Sequence, residues 1–179
     1  MRNILFSCLN RSFRTPGLVW LSNLQQLDKK INFLENTEVW VFHTPDFDKS
    51  GFERFPWVKW QELPIINFAN RYLPKTDVQG MMMRIQAFDW FHANGFQRVF
   101  YVDADTLMLK DFRDIYKTNL TPGAPLAACE DYVFTDDPLL GRLYEKVSYE
   151  FARRMVINRK YFNSGVLYVD LPLLYAKLK

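Results

Sequence analysis

Two carboxylates one residue apart, Asp103 and Asp105, close the run Arg98-Val99-Phe100-Tyr101-Val102-Asp103-Ala104-Asp105-Thr106-Leu107. Val99 to Val102 are strand formers, and their unbroken apolar character suits a strand buried on both faces. Acids at the carboxyl end of such a strand stand where open α/β sheets bind ligands. Carboxylate oxygens are the ligands of hard divalent cations, and the small Ala104 between them leaves room for a bulky group. The chemistry implied is a divalent metal holding a phosphate-bearing substrate. The ordinary alternative is a solvated strand end, where Asp is common.

Positioning that pair requires elements on both sides of it. Residues 79–94 read as a helix with Met82, Ile85, Phe88 and Phe91 inward, stopped by Asn94-Gly95. The carboxylate strand follows directly. Upstream, Asn3 to Leu9 reads as a first strand that ends in a polar turn, Asn10-Arg11-Ser12. Thr15-Pro16 reads as a helix opening, with Thr at the N-cap and Pro at the first position. Leu18, Leu21, Leu24 and Leu27 then recur at helical spacing. Glu38 to His43 reads as a second strand and Trp57 to Leu63 as a third. Downstream, Lys110 to Tyr116 reads as a short helix, and Ala124 to Cys129 as a strand leading to Glu130 and Asp131. Asp137-Pro138 opens a second long helix, Val166 to Val169 form the last strand, and Leu171 to Leu178 a final helix. Alternating strands and helices predict a mostly parallel sheet covered on both faces.

Composition removes several classes. A chain of 179 residues with 49% hydrophobic residues is long enough for one domain with a full core. A net charge of +3 is too weak to argue for nucleic acid. No apolar stretch is long enough to span a bilayer, and the N-terminal apolar run is too short for a signal peptide. Lys, Arg and Trp side chains leave room for loose contact with an anionic membrane. Two cysteines, Cys8 and Cys129, imply no disulfide framework, which makes a reduced, cytoplasmic setting the default. His43 and His92 have no spaced partners for zinc. Met81-Met82-Met83, Trp57 and Trp60 read as core packing.

Two reaction classes use such a strand end. Haloacid-dehalogenase-type phosphatases carry Asp-X-Asp-X-Thr after an apolar strand. Here Thr106 falls one position early and Leu107 stands where Thr is needed. Asp136-Asp137, a candidate for the later acidic motif of those enzymes, precedes Pro138 and reads as a helix cap.

The second class is nucleotide-sugar transfer. The run Arg98 to Asp111 resembles the metal-binding segment of family 8 glycosyltransferases, and Tyr161-Phe162-Asn163-Ser164-Gly165-Val166-Leu167-Tyr168-Val169-Asp170 resembles that family's second signature. The two stand in the family's order and at a similar spacing. The resemblance implies a GT-A fold, Rossmann-like, as a single domain over residues 1–179. It further implies Mn²⁺ or Mg²⁺ on Asp103 and Asp105, with Asp105 the firmer ligand because the first Asp also contacts the donor. Ser7, Cys8 and Asn10 would lie at the nucleotide base, Arg84 near the donor, and Ala104, Asn163, Ser164 and Gly165 along the donor pocket. Asn supplies donors and acceptors to sugar hydroxyls and Gly permits close backbone approach; a tight turn feeding a strand is the alternative for the same three residues. Glu130 and Asp131 are candidates for orienting sugar or acceptor, or for capping a loop. The expected reaction moves a sugar from a UDP-sugar to a saccharide or glycoconjugate acceptor with retention. A non-catalytic nucleotide-sugar-binding domain is the alternative.

The sequence departs from the family in two places. The usual acidic residue at the end of the first strand is missing. The later His-X-X-Gly-X-X-Lys segment, with its third metal ligand, is also missing, so the expectation is a domain lacking the C-terminal part.

Overall fold

The apolar runs at residues 3–9, 37–43 and 98–102 become strands of one sheet. A computed structural model describes residues 2–65, 75–130 and 162–178. Its elements in chain order are β1 (Asn3–Leu9), α1 (Arg14–Ile31), β2 (Thr37–His43), β3 (Val58–Glu62), α2 (Lys75–Ala93), β4 (Arg98–Val102), β5 (Leu126–Glu130), β6 (Phe162–Asp170) and α3 (Leu171–Lys177). The strand order is β3-β2-β1-β4-β6-β5. β1 pairs in parallel with β2 and with β4, and β2 with β3. β6 runs antiparallel to both β4 and β5. Among the described strands β6 alone is reversed, so the sheet is mostly parallel, as expected.

Chain direction explains how both faces are covered. From β1 the chain crosses one way to β2 through α1, and later the other way to β4 through α2. Crossovers of the same right hand taken in opposite directions put their helices on opposite faces. On the first face, Trp20, Leu21, Leu24 and Leu27 of α1 pack against Leu5, Leu9, Val39, Val41, Phe100 and Val102. On the second, Ala87, Phe88 and Phe91 of α2 meet Ile4, Phe6, Phe42, Val99 and Tyr101. Phe6 sits at the centre of that aromatic cluster, with ring centroids 5.0 Å from Phe91 and 5.1 Å from Tyr101.

Several boundaries differ from the sequence reading for local physical reasons. Asn10, not Thr15, makes the N-terminal cap. Its side-chain oxygen accepts from the backbone N–H of Ser12 at 3.1 Å and of Phe13 at 3.2 Å, which starts a short 3-10 turn, Arg11–Phe13, that leads into α1 at Arg14. Pro16 still lies in the first helical turn, where a missing N–H costs nothing. On α2 the buried stripe is Met83, Ala87, Phe88 and Phe91, whereas Ile85 is 47% exposed. The inward face is thus turned by about one residue, following the i, i+4 spacing of Met83, Ala87 and Phe91. The expected stop holds: Gly95 adopts φ +78° and donates to His92 O at 3.1 Å. The expected helix at 110–116 is a 3-10 turn, Arg113–Lys117. β6 begins earlier than expected and takes in Asn163, Ser164 and Gly165, which lie in a strand and not in a turn. The expected helix from Asp137, with Asp136, lies outside the described residues.

Candidate functional site

β1 has β2 on one side and β4 on the other, so the chain leaves it in both directions. At such a switch point the following loops diverge and open a crevice beyond the carboxyl ends of the strands. Asp103 and Asp105 follow β4 there, and Cys8, one residue before the end of β1, stands near Asp103. Asp103 keeps the alternation of Val99 and Tyr101 and so stands on the α2 face. The turn after it is closed by Thr106 N–H donating to Asp103 O at 3.0 Å. Ala104 is buried between the carboxylates, and Asp105 is exposed with no side-chain partner among the described residues.

Arg84 arrives from α2 at the same level. Nine helical residues back from Ala93 rise about 14 Å at ~1.5 Å each, and five strand residues from Arg98 rise about 17 Å at ~3.3 Å each. The rotated stripe puts Arg84 at the flank of the buried face, beside the end of β4. One of its terminal nitrogens donates to the carbonyl of Ser164, the other lies 4.0 Å from Oδ1 of Asp103, and the guanidinium covers the Tyr101 ring at 5.0 Å. Its Nε–H is buried without a partner among the described residues. The Tyr101 hydroxyl donates to the same Oδ1 of Asp103. Oδ2 of Asp103 takes no bond from a described residue.

Protonation states follow from burial. Burial pushes the Cys8 thiol up, against the pull of Arg84, and Asp103 adds to the rise, so Cys8 stays a neutral thiol. Burial also raises the Tyr101 phenol well above 10, with Cys8 and Asp103 adding to it against Arg84. Tyr101 is therefore a fixed hydrogen donor to Asp103 across the ordinary pH range.

The second sequence signature reaches the same place through the sheet. Asp103 N–H donates to Gly165 O at 2.7 Å, extending the β4–β6 pairing by one residue. On its other edge β6 slips register: Leu167 pairs with Ala128, but the next paired residue is Asn163, with Cys129. This bulge releases Ser164 from the β5 ladder, and its carbonyl turns to Arg84. Bulges next to ligand sites re-aim groups in this way. Asn163 and Glu130 are placed by backbone pairing at this end of the sheet, Glu130 opposite Phe162. Asp131 lies outside the described residues.

Other expected residues have different settings. Ser7 is fully buried on the α1 face, its hydroxyl without a partner among the described residues. Asn10 spends its side-chain oxygen on the cap. His43 is buried at the end of β2, with Nδ1 2.8 Å from Thr44 O. A carbonyl only accepts, so that nitrogen carries the proton. His92 stacks on Tyr175 with centroids 4.1 Å apart. Trp60 packs on Phe47 and Phe52, as expected of core.

Two side chains the sequence reading passed over also act here. Tyr101 was legible in principle, since period-2 alternation puts it on the face of Asp103. Asn23, on α1, bonds both backbone groups of Met108: Met108 N–H donates to Asn23 Oδ1 at 2.8 Å, and Asn23 Nδ2 donates to Met108 O at 3.2 Å. A poor helix former inside a leucine stripe was its only signal.

As a donor set, both oxygens of Asp105 and Oδ2 of Asp103 fit a hard divalent cation. Among the described residues no third His, Cys, Asp or Glu joins them. A separate open cavity of about 400 Å³ lies at the opposite end of the strands, lined by Arg98, Asp170, Tyr116 and Tyr168 among others. Its Arg98 is paired with Asp170 at 3.2 Å, and it does not reach the carboxylates.

The family model described as Glycosyl transferase family 8 matches residues 5–177. No curated protein sequence matches the chain. Among solved structures, a galactosyltransferase, LgtC, in complex with donor and acceptor sugar analogs superposes with a TM-score of 0.61 at 14% identity, over 97% of this chain and 59% of its own. Mouse xyloside xylosyltransferase 1 gives 0.61 at 14% identity, over 97% of this chain and 68% of its own. GlyE of Streptococcus pneumoniae gives 0.55 at 13% identity, over 99% of this chain and 36% of its own. At these identities the likeness is one of fold, GT-A. The chain spans 59% of the length of LgtC.

Proposed function

Since the chain belongs to glycosyltransferase family 8, we propose that it is a metal-dependent glycosyltransferase that moves a sugar from a UDP-sugar donor to a saccharide acceptor, with retention. The observation that carries this reading is Arg84, which bridges the two sequence signatures by bonding Ser164 O while standing 4.0 Å from Asp103. A guanidinium between an acid and a backbone carbonyl, its Nε–H without a partner among the described residues, suits an anionic ligand entering beside them. Asp105 and Asp103 would hold Mn²⁺ or Mg²⁺, which when bound would supply Lewis-acid stabilisation of charge on the departing diphosphate.

The chain's own residues divide the remaining work. Tyr101 and Arg84 hold Asp103 in one orientation, and Asp105 is left for the ligand. Asn163, Ser164 and Gly165, on the bulged strand β6, are the candidates for lining the sugar side of the donor pocket. Cys8 closes the base end of the pocket as a neutral thiol, with Ser7 behind it and Asn10 shaping the turn beyond. Glu130 and Asp131 are the candidates for orienting sugar or acceptor. No side chain is assigned as a nucleophile, and a front-face displacement requires none.

A further reading is a domain that binds nucleotide-sugar without turning it over, since among the described residues two carboxylates alone are available to a metal. Thermal unfolding with UDP, with Mn²⁺ and with both separates the cases. Stabilisation that requires both supports donor binding, and slow Mn²⁺-dependent hydrolysis of a UDP-sugar then marks an enzyme. No response to UDP and Mn²⁺ together would sink both readings.

A further inference from the structure

The segment after the carboxylates, residues 103–112, forms no regular secondary structure, so its backbone groups have no ladder to join. The turn closed by Thr106 N–H fixes its start. Beyond that, Met108 carries the next anchor, and the anchor is a single side chain from the far end of the sequence. Asn23 takes the N–H of Met108 at 2.8 Å and gives an N–H to its carbonyl at 3.2 Å, as a neighbouring strand would. Asn23 is held rigidly in turn, because Trp20, Leu21, Leu24 and Leu27 around it on α1 are buried against the sheet. Met108 packs into the same apolar cluster, while Leu107 and Leu109 on either side point outward, Leu109 at 83% exposure. The position of Asp105, two residues before Leu107, is thus set by a turn on one side and by Asn23 on the other.

Resting on the metal-dependent donor site proposed above, we propose that Asn23 is a positioning residue that fixes the Asp105–Lys110 loop and thereby holds the Asp105 carboxylate where it meets the metal and the donor diphosphate. Asp103 needs no such support, since Tyr101, Arg84 and Gly165 O hold it already. Among the described residues, Asp105 is held by its backbone alone.

The test uses Asn23→Leu, which keeps size and removes both bonds, beside Ser22→Ala as a control on the same helix. Ser22 bonds Leu18 O at 2.7 Å and Arg54 at 3.1 Å, away from the loop. Three readouts are taken on the intact chain. Amide hydrogen exchange across residues 104–110 should quicken at least tenfold in Asn23→Leu, with β1 and β2 unchanged. Mn²⁺ affinity in the presence of UDP should fall about tenfold, ~1.4 kcal/mol, and Mn²⁺-dependent hydrolysis should show a raised Mn²⁺ requirement at little-changed kcat. Ser22→Ala should match wild type in all three. Unchanged exchange, or quickened exchange with unchanged Mn²⁺ affinity, would overturn the positioning role alone. A wild-type chain that binds no UDP with Mn²⁺ would overturn the function reading and, with it, this inference.

Discussion

Asp103 and Asp105 are separated by one alanine, yet their surroundings are opposite. Asp103 is two-thirds buried, and one of its oxygens accepts from Tyr101 while facing Arg84 at 4.0 Å. Its N–H is committed to Gly165 O at 2.7 Å. Asp105 is exposed and its carboxylate meets no described side chain. Strand alternation accounts for the difference: Asp103 still follows the pleat of β4 onto the α2 face, whereas the turn after it carries Asp105 out of the sheet. A carboxylate held by the protein is oriented but partly spent. One held only by its backbone is open to a ligand.

The largest separation between the two is expected from amide substitutions. Asp105→Asn should lower Mn²⁺-dependent UDP affinity by about 100-fold, ~3 kcal/mol, and leave the melting temperature unchanged, since no described residue leans on that side chain. Asp103→Asn should lower affinity as well and also destabilise the protein by about 1–3 kcal/mol, because the partly buried Arg84 loses the charge it faces. Isothermal titration and chemical denaturation on the two variants read both quantities. Equal stability losses would erase the contrast.

Arg84 comes next in size. Its substitution by Met removes the link to Ser164 O and the charge beside Asp103 but keeps an apolar stem over Tyr101. Affinity for UDP with Mn²⁺ should fall about tenfold, ~1.4 kcal/mol. Arg84→Lys should recover only part of that loss, because an ammonium cannot span the carbonyl and the carboxylate as a planar fork does. Full recovery by Lys would mean that Arg84 supplies charge alone.

How much of this was legible follows from the range of each interaction. The parallel sheet, its carboxylate strand and the meeting of Asp103 with Asn163-Ser164-Gly165 could be read because they rest on local patterns: an apolar run, a turn, a signature. The site's shape depended on longer range. The α2 stripe runs through Met83, Ala87 and Phe91 and not Ile85, and that rotation of one residue is what brings Arg84 to the carboxylate. Counting apolar positions cannot settle it, since Met81 to Phe91 offers several stripes of similar strength. Asn163-Ser164-Gly165 read as a turn by residue type; the reversed β6 and its bulge depend on pairing with two strands remote in sequence. Asn10 reads as a base contact by position, and the bonds its side-chain oxygen accepts from Ser12 and Phe13 N–H give it a capping role that residue type alone did not single out.

The smallest effect sharpens the contrast through pH. Tyr101→Phe removes one bond to Asp103 Oδ1 and leaves the ring under Arg84, so a stability loss of about 1–2 kcal/mol is expected, with little change at Asp105. The folded phenol titrates well above 10, with burial the largest cause, and the unfolded one near 10.0. A group whose folded pKa is raised contributes stability that is complete below its unfolded pKa and is lost as pH rises toward the folded value. The stability difference between wild type and Tyr101→Phe should therefore be flat up to about pH 10 and shrink above it, as unfolded wild type gains from ionising a phenol that the fold keeps neutral. Urea unfolding of the two proteins from pH 7 to 11 measures it. A difference that stays flat through pH 11 would mean that the folded Tyr101 ionises as freely as an exposed one, and Asp103 would then be held by Arg84 and the β4–β6 backbone alone.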